Sequence, residues 1–166
     1  MDEELSRLMR QVSRQEMYEL WGRAKERNYE GLTDEEQRIA KIMVQHENEF
    51  YNQFEFADLT YDHEYDPGTE YNPFLHITIH SIVEAQLEQK KPIETTQFYN
   101  AMRKKKYSHH EAIHFIGQVL SCLIFDMMKY KKPFNSELYR KLLKKYKSRN
   151  PEKLLDLLEN DLLLSD

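Results

Sequence analysis

One cysteine, Cys122, stands in a chain of 166 residues, which excludes an internal disulfide and fits a reducing compartment. Four glycines and five prolines are too few for the many turns of a β-rich fold. The longest uncharged run, Ala112 to Phe125, is shorter than the roughly 20 residues a bilayer-spanning helix needs. The opening stretch, MDEELSRLMR, lacks the basic start and apolar run of a signal peptide. These absences lead us to expect a cytoplasmic protein with no membrane association. No period of about 20 to 50 residues recurs, so solenoids and other repeat architectures are not expected.

What remains is globular in composition, with 40% hydrophobic and 32% charged residues, and 166 residues are enough for one domain with a real core. The net charge of −5 is unevenly spread. Residues 1–100 hold 10 basic and 21 acidic side chains, a net of −11, whereas 101–166 hold 14 and 8, a net of +6. Two halves of opposite sign can pack together without any partner.

Apolar residues recur at helical spacing almost throughout. Leu5, Leu8, Met9, Val12, Met17, Leu20, Trp21 and Ala24 predict a first helix over about Asp2–Glu26, ended by Asn28 to Gly31. Thr33-Asp34-Glu35-Glu36 is a capping box, and the helix it opens carries Ile39, Ile42, Met43, His46 and Phe50 on one face. Residues 58–71 are acidic and turn-rich around Asp66-Pro67-Gly68, a loop whose spacing is not that of a calcium-binding EF-hand. Asn72-Pro73 caps a third helix reaching about Gln89. Further helices are expected over about Glu94–Lys106, from a second capping box at Ser108–Glu111 to about Tyr130, and over Ser136–Lys147. Asn150-Pro151 then opens a leucine-rich terminal helix within 151–164. The prediction is an all-α, irregular helical bundle of about six to seven helices in a single domain, with no sheet.

Two of these helices carry the chemistry. His76, His80 and Glu84 are four residues apart and stack along one stripe of the third helix, and no formal charge lies between Glu70 and Glu84. His110 and His114 repeat the spacing on the fifth helix, continued by small Gly117 and Ser121, which would let a second helix approach. If the two helices face each other, four imidazoles converge in an apolar interior. A buried polar group without a partner costs about 1–3 kcal/mol, and neutral imidazoles satisfy one another poorly because each has a single donor. A divalent transition metal, zinc or iron, would satisfy all four, with Glu84 as a fifth candidate ligand. His46 reads as a packing or supporting residue, and His63 and His109 as solvated.

The stretch His110-Glu111-Ala112-Ile113-His114 also matches HExxH, in which the glutamate serves a zinc protease as general base. Glu111 is, however, the third residue after Ser108, where a capping box uses it to bond the helix start, and no strand is present to hold a peptide substrate.

From Met17 to about Leu142 the chain resembles a bacterial family known as domain of unknown function 1841. The resemblance rests on Trp21, Leu32-Thr33 with Glu36, His46, Asn72-Pro73-Phe74-Leu75-His76 with His80 and Gln86, and His110-x-x-x-His114 with Leu120 and Phe125. It implies a bacterial cytoplasmic protein and groups His76, His80, His110 and His114 as one set, but carries no activity. The family pattern places a glutamate one position after Glu84 and an acid where Cys122 stands.

Basic residues Arg103–Lys106, Lys129, Lys131, Lys132 and 140–149 interleave with Tyr107, Tyr130, Tyr139 and Tyr146. A nucleic-acid surface is the weaker reading of that pattern in an acidic chain. Leu154, Leu155, Leu158 and Leu162 form an apolar face that either packs back on the domain or joins a homodimer. Cys122, off the histidine stripe, is expected to be an inert core thiol. The leading expectation is a helical metal-binding protein whose partner is an unidentified small molecule or protein. The alternatives are a metal-free interaction module and an HExxH hydrolase.

Overall fold

The computed structural model describes residues 14–60, 63, 65–66 and 69–163. Among these residues lie eight α-helices and no strand. They are α1 (Arg14–Ala24), α2 (Asp34–Gln45), α3 (Glu47–Glu55), α4 (Pro73–Gln89), α5 (Ile93–Lys104), α6 (His109–Tyr130), α7 (Ser136–Tyr146) and α8 (Leu154–Leu163), with 3₁₀ turns at Ala57–Leu59 and Pro151–Lys153. The all-α expectation holds. The first half of the expected first helix, with Leu5, Leu8, Met9 and Val12, lies outside the described residues, as do Pro67, Gly68 and Leu164.

The helix count exceeds the expected one because the second helix breaks at His46. This residue takes φ −107° and ψ 10°. Its ring Nδ1–H donates to the Ile42 carbonyl at 2.8 Å, the acceptor that its own backbone N–H also approaches at 3.2 Å. A side chain competing for an i−4 carbonyl loosens the helix at that turn, and the chain restarts as α3 with no glycine or proline to announce the break.

The described chain divides into two compact units, the first ending at Ser81 and the second starting at Ile82, so that the boundary falls inside α4. In the first unit α1 packs on α2, on α3 and on the Ala57–Leu59 turn. Its core gathers Met17, Trp21, Ile39, Met43, Phe50, Phe54 and Ile77. Trp21 lies 5.3 Å from Phe54 between ring centroids, and its Nε1–H donates to Glu55 Oε2 at 2.8 Å, so the one polar atom of the indole is satisfied. The expected capping box starts α2: Glu36 N–H donates to Thr33 Oγ1 at 3.2 Å and Thr33 N–H to Glu36 Oε2 at 2.7 Å. Gly31, at φ 76°, makes the left-handed turn that leads there from α1.

In the second unit α5 packs on α6 and α7, and α6 packs on α7 and α8. Phe98, Met102, Ile113, Ile116, Leu120, Tyr139, Leu143 and Leu158 are buried. At 22 residues α6 is long and apolar enough, by length and composition, to cross a bilayer. Eight of its residues are buried. The leucine-rich tail turns its Leu154 and Leu158 inward and leaves Leu155 exposed. It is tied down by Tyr146, whose hydroxyl donates to the Asp161 carboxylate, and by Lys145 on Asp161 at 2.7 Å.

With few glycines available, the helix ends use cations in the left-handed region. Lys90, Lys106 and Lys131 follow α4, α5 and α6 with φ of 54°, 72° and 50°. Their positive charge suits the carbonyl-rich C-termini they close.

Candidate metal centre

The first unit assembles three imidazoles. Asn72 Oδ1 accepts the backbone N–H groups of Phe74 and Leu75 at 3.1 and 3.0 Å, fixing the start of α4 with Pro73 in its first turn. That start puts His76 in the opening turn of α4 and His80 one turn on, their ring centroids 4.7 Å apart. The break after α2 presents His46 to both, with centroids 4.9 Å from His76 and 4.7 Å from His80. His46 and His80 are buried, at 2% and 3% exposure, and His76 is half-buried. Phe50 forms a wall, stacked on His46 at 6.0 Å and edge-on to His76 at 5.5 Å.

Hydrogen bonds order these rings. His46 Nδ1–H is spent on the Ile42 carbonyl, which can only accept, so in the neutral ring Nε2 holds a lone pair. That lone pair faces His76 Nε2 at 3.1 Å. His76 Nε2 is then the donor, and its Nδ1 accepts from the Tyr71 hydroxyl. The tyrosine suits this part, since burial and then the charge of Glu49 push its hydroxyl above the ordinary range, keeping it protonated. Bonding one ring nitrogen to a backbone carbonyl while the other offers a lone pair is also how ligating histidines are oriented.

The second unit contributes the other pair. His110 and His114 have centroids 4.2 Å apart on α6, the first exposed and the second half-buried. Glu111 does not share their stripe. Its Oε2 accepts the Ser108 N–H at 2.7 Å, and its own N–H donates to Ser108 Oγ at 3.2 Å, completing the expected capping box. The Ser108 backbone bond holds the Glu111 carboxyl below the usual carboxylate range.

Glu84, the expected fifth ligand, turns to a residue that was expected to be solvated. His109 Nε2–H donates to Glu84 Oε1 at 2.6 Å while the Tyr99 hydroxyl donates to His109 Nδ1 at 2.8 Å. His109 is exposed as expected, but it is not idle. His63, likewise exposed, pairs with Glu70 at 2.9 Å. Cys122 is half-buried rather than fully in the core as expected; desolvation, with the charges of Asp126 and Glu159 behind it, pushes the thiol up to about 11, which keeps it protonated.

Of the expected ligands, the structure thus brings His76 and His80 together in one unit and His110 and His114 together in the other, and gives Glu84 to His109. His46, read from the sequence as a packing or supporting residue on the apolar stripe of α2, lies against His76 and His80, and the sequence pointed to neither of two further polar residues near these pairs. Tyr71 precedes α4, where no helical periodicity points to it. Gln118, one turn beyond His114, has a buried Oε1 with no hydrogen-bond partner among the described residues.

A family model described as a domain of unknown function, DUF1841, matches residues 9–145, and the chain belongs to that family. No curated protein matches the chain, and no solved structure does.

Proposed function

We propose that this family member binds one transition-metal ion, zinc or iron, through imidazoles of its two HxxxH segments and of His46. The ligand set we favour is His46, His80, His110 and His114, four residues of a type able to hold such an ion. The observation that carries the reading is the packing of His46 against His80 at 4.7 Å between ring centroids, both rings buried, with the His46 lone pair fixed by the Ile42 carbonyl. A buried imidazole with its second nitrogen anchored, as that of His46 is, suits a metal ligand better than an apolar core. A reducing cytoplasm suits the reading, with Cys122 kept as a thiol.

The ion is open to either a catalytic or a structural role. With His110 exposed, we favour a centre reachable from solvent. A hydrolase of the HExxH type is disfavoured because Glu111, its required base, is committed to Ser108. A metal-free interaction module is the second reading, supported by exposed Phe125, Met128, Tyr130 and Leu155.

Elemental analysis of untagged protein purified without chelator, followed by Zn²⁺ reconstitution, tests the proposal. One ion per chain is expected, with a higher melting temperature in its presence and a loss of both effects on His80→Ala or His114→Ala. A stoichiometry well below one, unaltered by reconstitution, removes it. Retention of the ion by His110→Ala/His114→Ala would confine the site to His46, His76 and His80.

A further inference from the structure

We propose that the C-terminal end of α6 is a docking surface for an anionic membrane, built from the apolar side chains of Phe125, Met128 and Tyr130 together with Lys129, Lys131 and Lys132. The surface shares no residue with the metal centre and stands whether or not an ion is bound.

Phe125, Met128 and Lys129 are three and four residues apart, so they share one face of the helix. Phe125, Met128 and Tyr130 are exposed by 40%, 52% and 49%. The lysines join these side chains into one patch. The Lys129 ammonium stands over the Phe125 ring at 5.8 Å and over the Tyr130 ring at 5.1 Å, and the Lys132 ammonium over the Tyr130 ring at 5.1 Å. Lys131, left-handed at φ 50°, closes the helix between them. None of the three ammonium groups has an acidic partner among the described residues. From Phe125 to Lys132 the single acid is Asp126, against three lysines. The carbonyl-rich end of α6 adds about half a negative charge, which the lysines outweigh.

Such a patch needs a partner that is apolar and negative at once. A second copy offering the same face would set lysines against lysines, which repel. A single-stranded nucleic acid would stack its bases on the rings, but ammonium groups already stand over both. A bilayer containing acidic phospholipids meets both demands. Phe125 and Met128 enter the boundary between headgroups and acyl chains, Tyr130 lies at headgroup level, and the lysines place their charges among the phosphates. The chain as a whole carries −5, yet charges beyond about 8 Å are screened at physiological salt, so the local excess of lysine decides the contact.

Flotation of the full chain with lipid vesicles tests it. Vesicles of phosphatidylcholine with about one third phosphatidylglycerol should carry the protein, phosphatidylcholine alone should not, and about 0.5 M salt should release it. Lys129→Ala and Lys132→Ala should each weaken binding about fivefold. Phe125→Ser and Met128→Ser leave the charge unchanged and should each weaken it about tenfold. Lys104→Ala, at the end of α5 and so near the opposite end of the 22-residue α6, should change it less than about twofold. All these side chains are exposed, so the variants should melt with the wild type, and lost binding is then not lost folding. No binding to the anionic vesicles overturns the proposal. So does a loss in the lysine variants with none in Phe125→Ser and Met128→Ser, which makes the patch a site for any polyanion. A loss in Lys104→Ala as large as in Lys129→Ala overturns it as well, because the attraction would then not be local to this patch.

Discussion

Glu111 Oε2 sits 2.7 Å from the backbone nitrogen of Ser108, the residue that caps the same helix. That bond separates two readings of one pentapeptide. In a zinc protease the glutamate must face the ion between its two histidines, whereas here the carboxylate reaches backward to the start of α6. The capping role predicts that Ser108→Ala destabilises the protein by about 1 kcal/mol and that Glu111→Ala destabilises it too. Glu111→Gln, which can still accept the Ser108 N–H, should cost much less, and all three should leave metal content unchanged. Chemical denaturation and metal analysis of the set check this. A loss of metal in Glu111→Gln would return the carboxylate to the site.

Gln86 anchors a second buried polar group. Its Oε1 accepts from Thr95 Oγ1 at 2.9 Å and from the Tyr139 hydroxyl at 2.8 Å, and burial pushes that hydroxyl far above the ordinary range. Tyr139→Phe removes one donor and should cost about 1–1.5 kcal/mol. Thr95→Val should cost a similar amount. Because both donors share one oxygen, the double variant should depart from additivity, which a double-mutant cycle measures. Additive losses within error would mean the two bonds do not communicate.

What the sequence made legible was local. Both capping boxes and the Asn72-Pro73 start are patterns within four residues, as are the i,i+4 histidine pairs, so backbone and side chain agree whatever the tertiary context. His46 was legible only as a packing or supporting residue, because its place beside His76 and His80 depends on a helix break that its own ring helps to create at Ile42. Glu84 was assigned to the ion because spacing alone puts it one turn past His80. Its actual partner, His109, is 25 residues away, and only packing brings the two to 2.6 Å. Tyr71 lies outside any periodic segment, so no face could claim it.

Two carboxylates give a pH dependence of definite sign. A hydrogen bond from Arg140 holds Glu94 below the usual carboxylate range, and one from Lys145 does the same for Asp161. A depressed folded-state value means the folded protein binds its proton later than the unfolded chain. The stabilisation is therefore complete above the unfolded values of about 4 and is lost as pH falls through the folded ones. The part of the melting temperature that these two pairs supply should hold from neutral pH down to about pH 5 and then fall. Arg140→Ala and Lys145→Ala should each make that acid-side fall shallower, modestly because both cations are largely exposed. Carboxyl carbon NMR titrations would assign the effect. An acid limb that is identical in wild type and both variants would place it elsewhere.

Gln118 tests how the second histidine pair is used. Its Oε1 is buried with no donor among the described residues, an arrangement that costs about 1–3 kcal/mol when nothing else satisfies it. Met has nearly the same length and no acceptor of comparable strength. In chelator-treated protein Gln118→Met should therefore raise stability by about 1 kcal/mol, or about 2–4 °C in melting temperature. If the carbonyl accepts a hydrogen bond from a ligand carried by the ion beside His114, Zn²⁺ should reverse the order, leaving the wild type more stable than the variant. The two melting curves, with and without Zn²⁺, separate a residue kept for the site from one merely tolerated in the core. A variant less stable than wild type in both conditions would show that the amide is satisfied within the bundle and has no part in the metal centre.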